Sequence, residues 1–189
     1  MASTARAPAE WPTVVLLVTC YSLWAAALTV AAAASTALAV ALAAVAIALH
    51  GSLTHEIVHG HPTRSAAVNA ALVAPVLGLL VPFGRFRDTH LAHHHDANLT
   101  DPYDDPESNY LDPAVWLRLP APIRALLRAN NTLLGRMLLG PVIGQIAFMA
   151  SDWRAIRAGD RAVLRAWAWH LPAVTPVIAL VVAAPMPLW

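Results

Sequence analysis

The chain has 189 residues, of which 58% are hydrophobic and 12% charged, with a formal net charge of +1. Soluble domains carry roughly 25% charged residues. A disordered chain, a nucleic-acid binder working through a basic patch and most ordinary soluble enzymes are therefore excluded. One cysteine, Cys20, excludes an internal disulfide framework and any cysteine-rich zinc or iron–sulfur site.

No residue from Trp11 to Leu49 is charged. At about 1.5 Å per residue that run is too long for one crossing of a roughly 30 Å core and close to right for two. Bulky residues thin out at Ala33-Ala34-Ser35-Thr36. The reading is a transmembrane helical hairpin, Val14 to Ala33 and Thr36 to about Ser52. The run is too long for a cleavable signal peptide, and Arg6, offset by Glu10, gives that reading little support. A soluble bundle would need a polar face, which the run lacks.

A third apolar run, Ala66 to Phe83, contains Asn69, Pro75, Gly78 and Pro82 and has marginal length for a span. Residues 84–131 are more polar and carry Pro102, Pro106, Pro113, Pro120 and Pro122, so they read as a membrane-external segment with turns. The run Leu133 to Ala150 is interrupted by Arg136, Pro141 and Gln145. The last run, Ala166 to Ala184, carries His170, Pro172 and Pro176 and predicts a further span. Pro185 to Trp189 reads as the turn after it. With no repeat or linker, residues 1–189 count as one domain. Arg154, Arg157, Arg161 and Arg165 are spaced to form one stripe on a helix. That stripe reads first as a positive-inside anchor, second as a headgroup or phosphate site.

Eight of the nine histidines fall between residues 50 and 95. The first cluster reads His55-Glu56-Ile57-Val58-His59-Gly60-His61. His55 and His59 are at i and i+4, one helical face, able to hold one ion. The second reads His90-Leu91-Ala92-His93-His94-His95, with His90, His93 and His94 at i, i+3 and i+4. Neutral imidazole suits Fe, Zn, Cu and Ni. Each ligand needs a partner for its second nitrogen. Asp88, Asp96, Asp101, Asp104, Asp105 and Glu107 are the nearest supply, Asp88 and Asp96 first by proximity. His50 lies inside an apolar helix, where capping or hydrogen bonding accounts for it. His61 and His95 are adjacent extras. The first cluster also matches the H-E-x-x-H pattern of zinc peptidases, with His55 and His59 on zinc and Glu56 as base. A second nitrogen-rich cluster suits two metal ions better than one.

Together, H-E-I-V-H-G-H and H-L-A-H-H-H about 30 residues later resemble the first two histidine boxes of the integral-membrane fatty acid desaturase family. Gly60-His61-Pro62-Thr63-Arg64 and Asp101-Pro102-Tyr103-Asp104-Asp105-Pro106-Glu107-Ser108 resemble its bacterial members. The resemblance implies an all-α integral membrane protein with two iron ions. It implies O2 and two electrons used to remove hydrogens from an unactivated C–H bond of an acyl-lipid or acyl-thioester. His55, His59, His90, His93 and His94 would be iron ligands, His61 a weaker carry-over, with no catalytic residue beyond the ligands. Electrons would come from a separate ferredoxin-like or cytochrome donor, since no flavin or nicotinamide motif is present. The alternatives are a carotenoid ketolase or hydroxylase of the same superfamily, the zinc peptidase, and a non-enzymatic metal-binding or vestigial membrane protein.

The family's third histidine box has no counterpart after residue 95, where His170 stands alone. The expectation is a partial chain that inserts into membranes without desaturating, and that gains iron and activity when extended through a third box. Both clusters must face one pocket, so both lie on one side of the membrane. Residues 66–83 then cannot cross fully and are re-entrant or interfacial, and 133–150 lie at the interface. The arginine stripe puts the histidine side in the cytoplasm.

Overall fold

The computed structural model describes residues 9–185, so Arg6 and the end of the expected terminal turn lie outside the described residues. The chain is 73% helical with no strands among the described residues. It forms two compact units, one of residues 1–87 with 166–189, the other of residues 88–165.

In the first unit α1 (Trp11–Ala34) and α2 (Thr36–Val58) are 24 and 23 residues long, which the uncharged sequence requires. Each is about 35 Å long and sufficient to cross a bilayer. The expected break falls at Ser35, which is extended (φ −164°, ψ 124°) and accepts a hydrogen bond from the Leu38 amide to start α2. α1 contains a π-helical turn at Ala27–Ala31. Small residues line the hairpin: Cys20, Ala27, Ala39 and Ala46 are fully buried. Such residues let helix backbones approach closely in lipid, where no hydrophobic drive pairs them. The Cys20 thiol donates to the Ala46 carbonyl at 3.3 Å. Leu17, Trp24, Leu28, Leu53 and Ile57 complete a core with Val73, Leu77 and Val177. Val15, Val18, Val30, Val40 and Val45 are exposed, which suits a lipid-facing surface.

The third apolar run forms no helix long enough to cross a bilayer. Only α3 (Ala66–Leu72) is helical, seven residues or about 10 Å. Turns follow to Pro82, with Leu79 in the left-handed region (φ +61°). Irregular backbone between spans is tolerated only where its polar groups are satisfied. Here side chains from separate helices supply partners. Tyr21 Oη of α1 donates to the Leu72 carbonyl at 2.8 Å. His50 Nε2 of α2 lies 3.3 Å from that Tyr21 hydroxyl. His170 Nε2, from α9 (Arg161–Ala183), donates to the Leu79 carbonyl at 2.8 Å. His50 and His170 are both buried; His170 bonds the loop directly, and His50 backs the tyrosine that does so. We expect His170→Leu to orphan the Leu79 carbonyl and cost about 1–3 kcal/mol. Thermal unfolding in detergent should show it, and an unchanged transition would reject this role.

In the second unit α4 (Phe83–His95) leads to a turn-rich loop. Then come α5 (Pro113–Arg118), α6 (Ala121–Asn130), α7 (Leu133–Leu138) and α8 (Gly140–Arg157). Thr132 Oγ1 caps α7 by accepting from the Gly135 amide at 3.1 Å. Gly135 is forced by close approach, since a Cβ there would sit 1.8 Å from the Ala129 carbonyl oxygen.

The arginine stripe is corrected. Arg154 and Arg157 lie in the last turn of α8, whereas Arg161 and Arg165 lie at the start of α9. Gly159 (φ +93°) ends α8, and Asp160 Oδ1 accepts from the Ala162 and Val163 amides to start α9. A glycine stop followed by an aspartate cap breaks the periodicity that would align four arginines.

Candidate metal centre

The first histidine set sits at the C-terminal end of α2. His55 and His59 are one turn apart, their ring centroids 4.8 Å from each other and edge to face. α2 runs on past the apolar stretch and holds His55 in its last turn, with His59 as the capping residue. Gly60 (φ +93°) then reverses the chain, its amide donating to the Ile57 carbonyl at 3.0 Å. His61 therefore leaves the helical face. Its Nδ1 bonds Glu10 Oε2, and its Nε2 lies 3.7 Å from Glu56 Oε1.

The second set lies on α4, before a loop that supplies its carboxylates. His90 is buried, and its Nδ1 donates to Glu107 Oε1 at 3.0 Å. That bond fixes the tautomer and leaves Nε2 as a lone-pair donor. His90 Nε2 lies 3.0 Å from His94 Nε2. His93 Nδ1 donates to Asp105 Oδ1 at 2.8 Å. His95 turns away and bonds the Leu91 carbonyl of its own helix.

Asp105 is the hub of the loop. Its Oδ2 accepts from the Thr100 amide and its Oδ1 from the Glu107 amide, each at 2.9 Å. Ser108 Oγ donates to the Thr100 carbonyl at 2.9 Å and closes the loop. The backbone bond from Thr100 foremost, with the bonds from Glu107 and His93, holds the Asp105 carboxyl below its ordinary range. The hydrogen bond to Asp105 raises the His93 imidazole, helped by the charges of Asp105, Glu107 and Asp96.

The signs define a window for the metal-free protein. Asp105 contributes above the ordinary carboxylate range, and its contribution is lost as pH falls through its depressed value. His93 contributes below about pH 6.5 and loses its contribution as pH rises through its raised value. Amide protection factors at Thr100 and Glu107 should therefore peak between the two and fall on either side. A flat profile across both ranges would reject the pairing.

Proximity favoured Asp88 and Asp96 as partners. Asp96 Oδ1 instead accepts from the Asn98 amide at 2.7 Å and builds the turn after α4. Asp105 bonds His93 and Glu107 bonds His90, twelve and seventeen residues away along the chain. Only the folded loop brings them back, so spacing gave no signal for choosing these two.

The donor chemistry fits the metal that such boxes imply. Two imidazole nitrogens facing each other at 3.0 Å repel as lone pairs unless a proton or a cation lies between them. The carboxylate behind His90 leaves Nε2 as the coordinating atom.

Fold and donors together define the class: an all-α membrane protein with imidazole-rich helix ends. The family model described as Fatty acid desaturase matches residues 31–189, and the chain belongs to that family. No curated protein and no solved structure matches it.

Proposed function

We propose that the chain acts as a membrane-bound, O2-dependent di-iron oxidoreductase that dehydrogenates an acyl chain. His55, His59, His90, His93 and His94 are the ligands in this reading, on the cytoplasmic side. The observation that carries the reading is the His90–His94 nitrogen pair, with the far side of His90 held by Glu107. Family membership supports it and favours oxidoreduction over peptidase chemistry built on Glu56. Arg161 and Arg165 at the N-terminal end of α9 support a cytoplasmic assignment by the positive-inside rule.

Iron bound there would supply the reductive activation of O2 that oxidation of an unactivated C–H bond requires. The chain's own residues bind and orient. Glu107 and Asp105 hold two imidazoles in fixed tautomers and keep their Nε2 atoms as donors. Beside α2 lies an apolar crevice of about 230 Å³, lined by Ile47, Gly51, Val73, Val76 and Phe86 among others. Its largely apolar lining suits a hydrocarbon segment. Electrons come from an external ferredoxin- or cytochrome-like donor.

The test has two parts. Anaerobic loading of the purified protein with Fe2+ should give about two irons per chain, whereas one zinc and no iron would favour a peptidase. Mass spectrometry of acyl chains in expressing membranes, with a donor supplied, decides between this reading and a chain that inserts without desaturating: loss of two hydrogens would support the first. Added oxygen on a carotenoid would redirect the substrate to a ketolase or hydroxylase reaction. Neither iron nor oxidation would leave the vestigial protein.

A further inference from the structure

We propose that Glu10, Glu56 and His61 form a second divalent-cation site, separate from the two histidine sets. Three stretches of sequence meet there: the residue before α1, the last turn of α2 and the turn after it. One carboxylate oxygen from each glutamate and one ring nitrogen of His61 all lie within 4.8 Å of one another. An ion with bonds of about 2.0–2.2 Å spans at most about 4.4 Å between opposite ligands. Small side-chain rotations close the remaining difference and part His61 from Glu10.

Backbone contacts, not chance side-chain excursions, hold the three groups. The Glu10 amide donates to the Pro62 carbonyl at 2.9 Å, and Ala9 bridges to Thr63 in antiparallel fashion. Thr63 is fixed in turn by buried Asn69. Its amide and hydroxyl donate to Asn69 Oδ1 at 3.0 and 2.6 Å, and Asn69 Nδ2 donates back to the Thr63 carbonyl at 2.9 Å. Sites held by such supporting bonds are preorganised.

Two carboxylates converge on one imidazole: His61 bonds Glu10 and lies 3.7 Å from Glu56. A divalent ion neutralises both carboxylates at once. One imidazole with two carboxylates suits Zn2+ or Mn2+. A cavity of about 430 Å³, lined also by Arg64 and Arg87, opens beside Glu10, Gly60 and Pro62 and leaves room for water to complete the coordination.

The site also explains why His61 parts from its neighbours: the Gly60 turn delivers it to carboxylates and not to the His55–His59 face. The test is equilibrium dialysis of the detergent-solubilised full chain against Zn2+, with bound metal counted by mass spectrometry. Wild type is compared with Glu10→Gln, His61→Asn and the double variant His90→Asn with His94→Asn. Glu10→Gln keeps an acceptor for His61, so the fold should survive, and circular dichroism checks this. We expect Glu10→Gln and His61→Asn each to bind one equivalent fewer than wild type. Adding Glu10→Gln to the double variant should remove one more. Unchanged stoichiometry and affinity in folded Glu10→Gln and His61→Asn would overturn the second site. Unchanged stoichiometry in the double variant would instead count against the histidine-box reading, so the two failures are distinct.

Discussion

Replacing His94 with alanine should strip iron from the protein while leaving its helices intact. His94 presents Nε2 to His90 Nε2 at 3.0 Å, and no carboxylate can take that place without reversing the charge of the donor pair. Losing an outer hydrogen-bond partner typically weakens metal binding about 10–100-fold. Losing a ligand should exceed the upper end of that range. The effect on folding should be small, because His94 is exposed. Iron content after anaerobic loading and the far-ultraviolet dichroism of the same sample separate the two. Any O2-dependent acyl oxidation that the protein supports should vanish with the iron. His95→Ala is the matched control, since that ring bonds its own helix carbonyl. It should retain iron. Iron retained by His94→Ala with wild-type affinity would remove the second box from the metal centre.

The spans were legible because lipid leaves a helix no choice. An uncharged run with one weak point at Ser35 folds as two helices meeting there. That residues 66–83 form no helix long enough to cross was legible from Pro75, Pro82 and the length of the run. The means by which the loop is held was not. Tyr21 and His170 come from separate helices, and sequence carries no mark that they converge on two carbonyls of one loop. The helical spacing of His55 with His59, and of His90 with His93 and His94, survives in the structure because each set lies on one helix. The arginine stripe failed for a local reason that sequence did contain. Gly159 and Asp160 are a stop and a start, and the periodicity was read across them. Asp105 and Glu107 carried no signal as ring partners for a different reason: proximity along the chain measures reach poorly when a turn-rich loop folds back onto the helix it leaves. Asp105 and Glu107 became partners through the bonds that Thr100 and Ser108 make to close that loop.

Asp105→Asn should weaken metal binding more than Glu107→Gln, although Glu107 lies behind the buried His90. Glutamine at 107 keeps an oxygen that accepts from His90 Nδ1. What is lost is the charge, and charge-assisted bonds are roughly twice as strong as neutral ones. His90 Nε2 then becomes a poorer donor while its orientation persists. Asp105 has two further duties. Its oxygens also receive the Thr100 and Glu107 amides, so both must remain acceptors. Asparagine offers one acceptor and one NH2 group, and either flip sets a donor against a donor. The loop loosens, His93 loses its partner, and the backbone that positions Glu107 is released as well. One substitution thus disturbs two imidazoles. Both variants should fall in the range of about 10–100-fold in iron affinity, Glu107→Gln near its lower end and Asp105→Asn near its upper end. The double variant should lose less than the product of the two, because they share one loop. Iron affinities by competition with a chelator provide the measure. Equal losses from the single variants combined with strict additivity would show that Asp105 acts on His93 alone and does not organise the site.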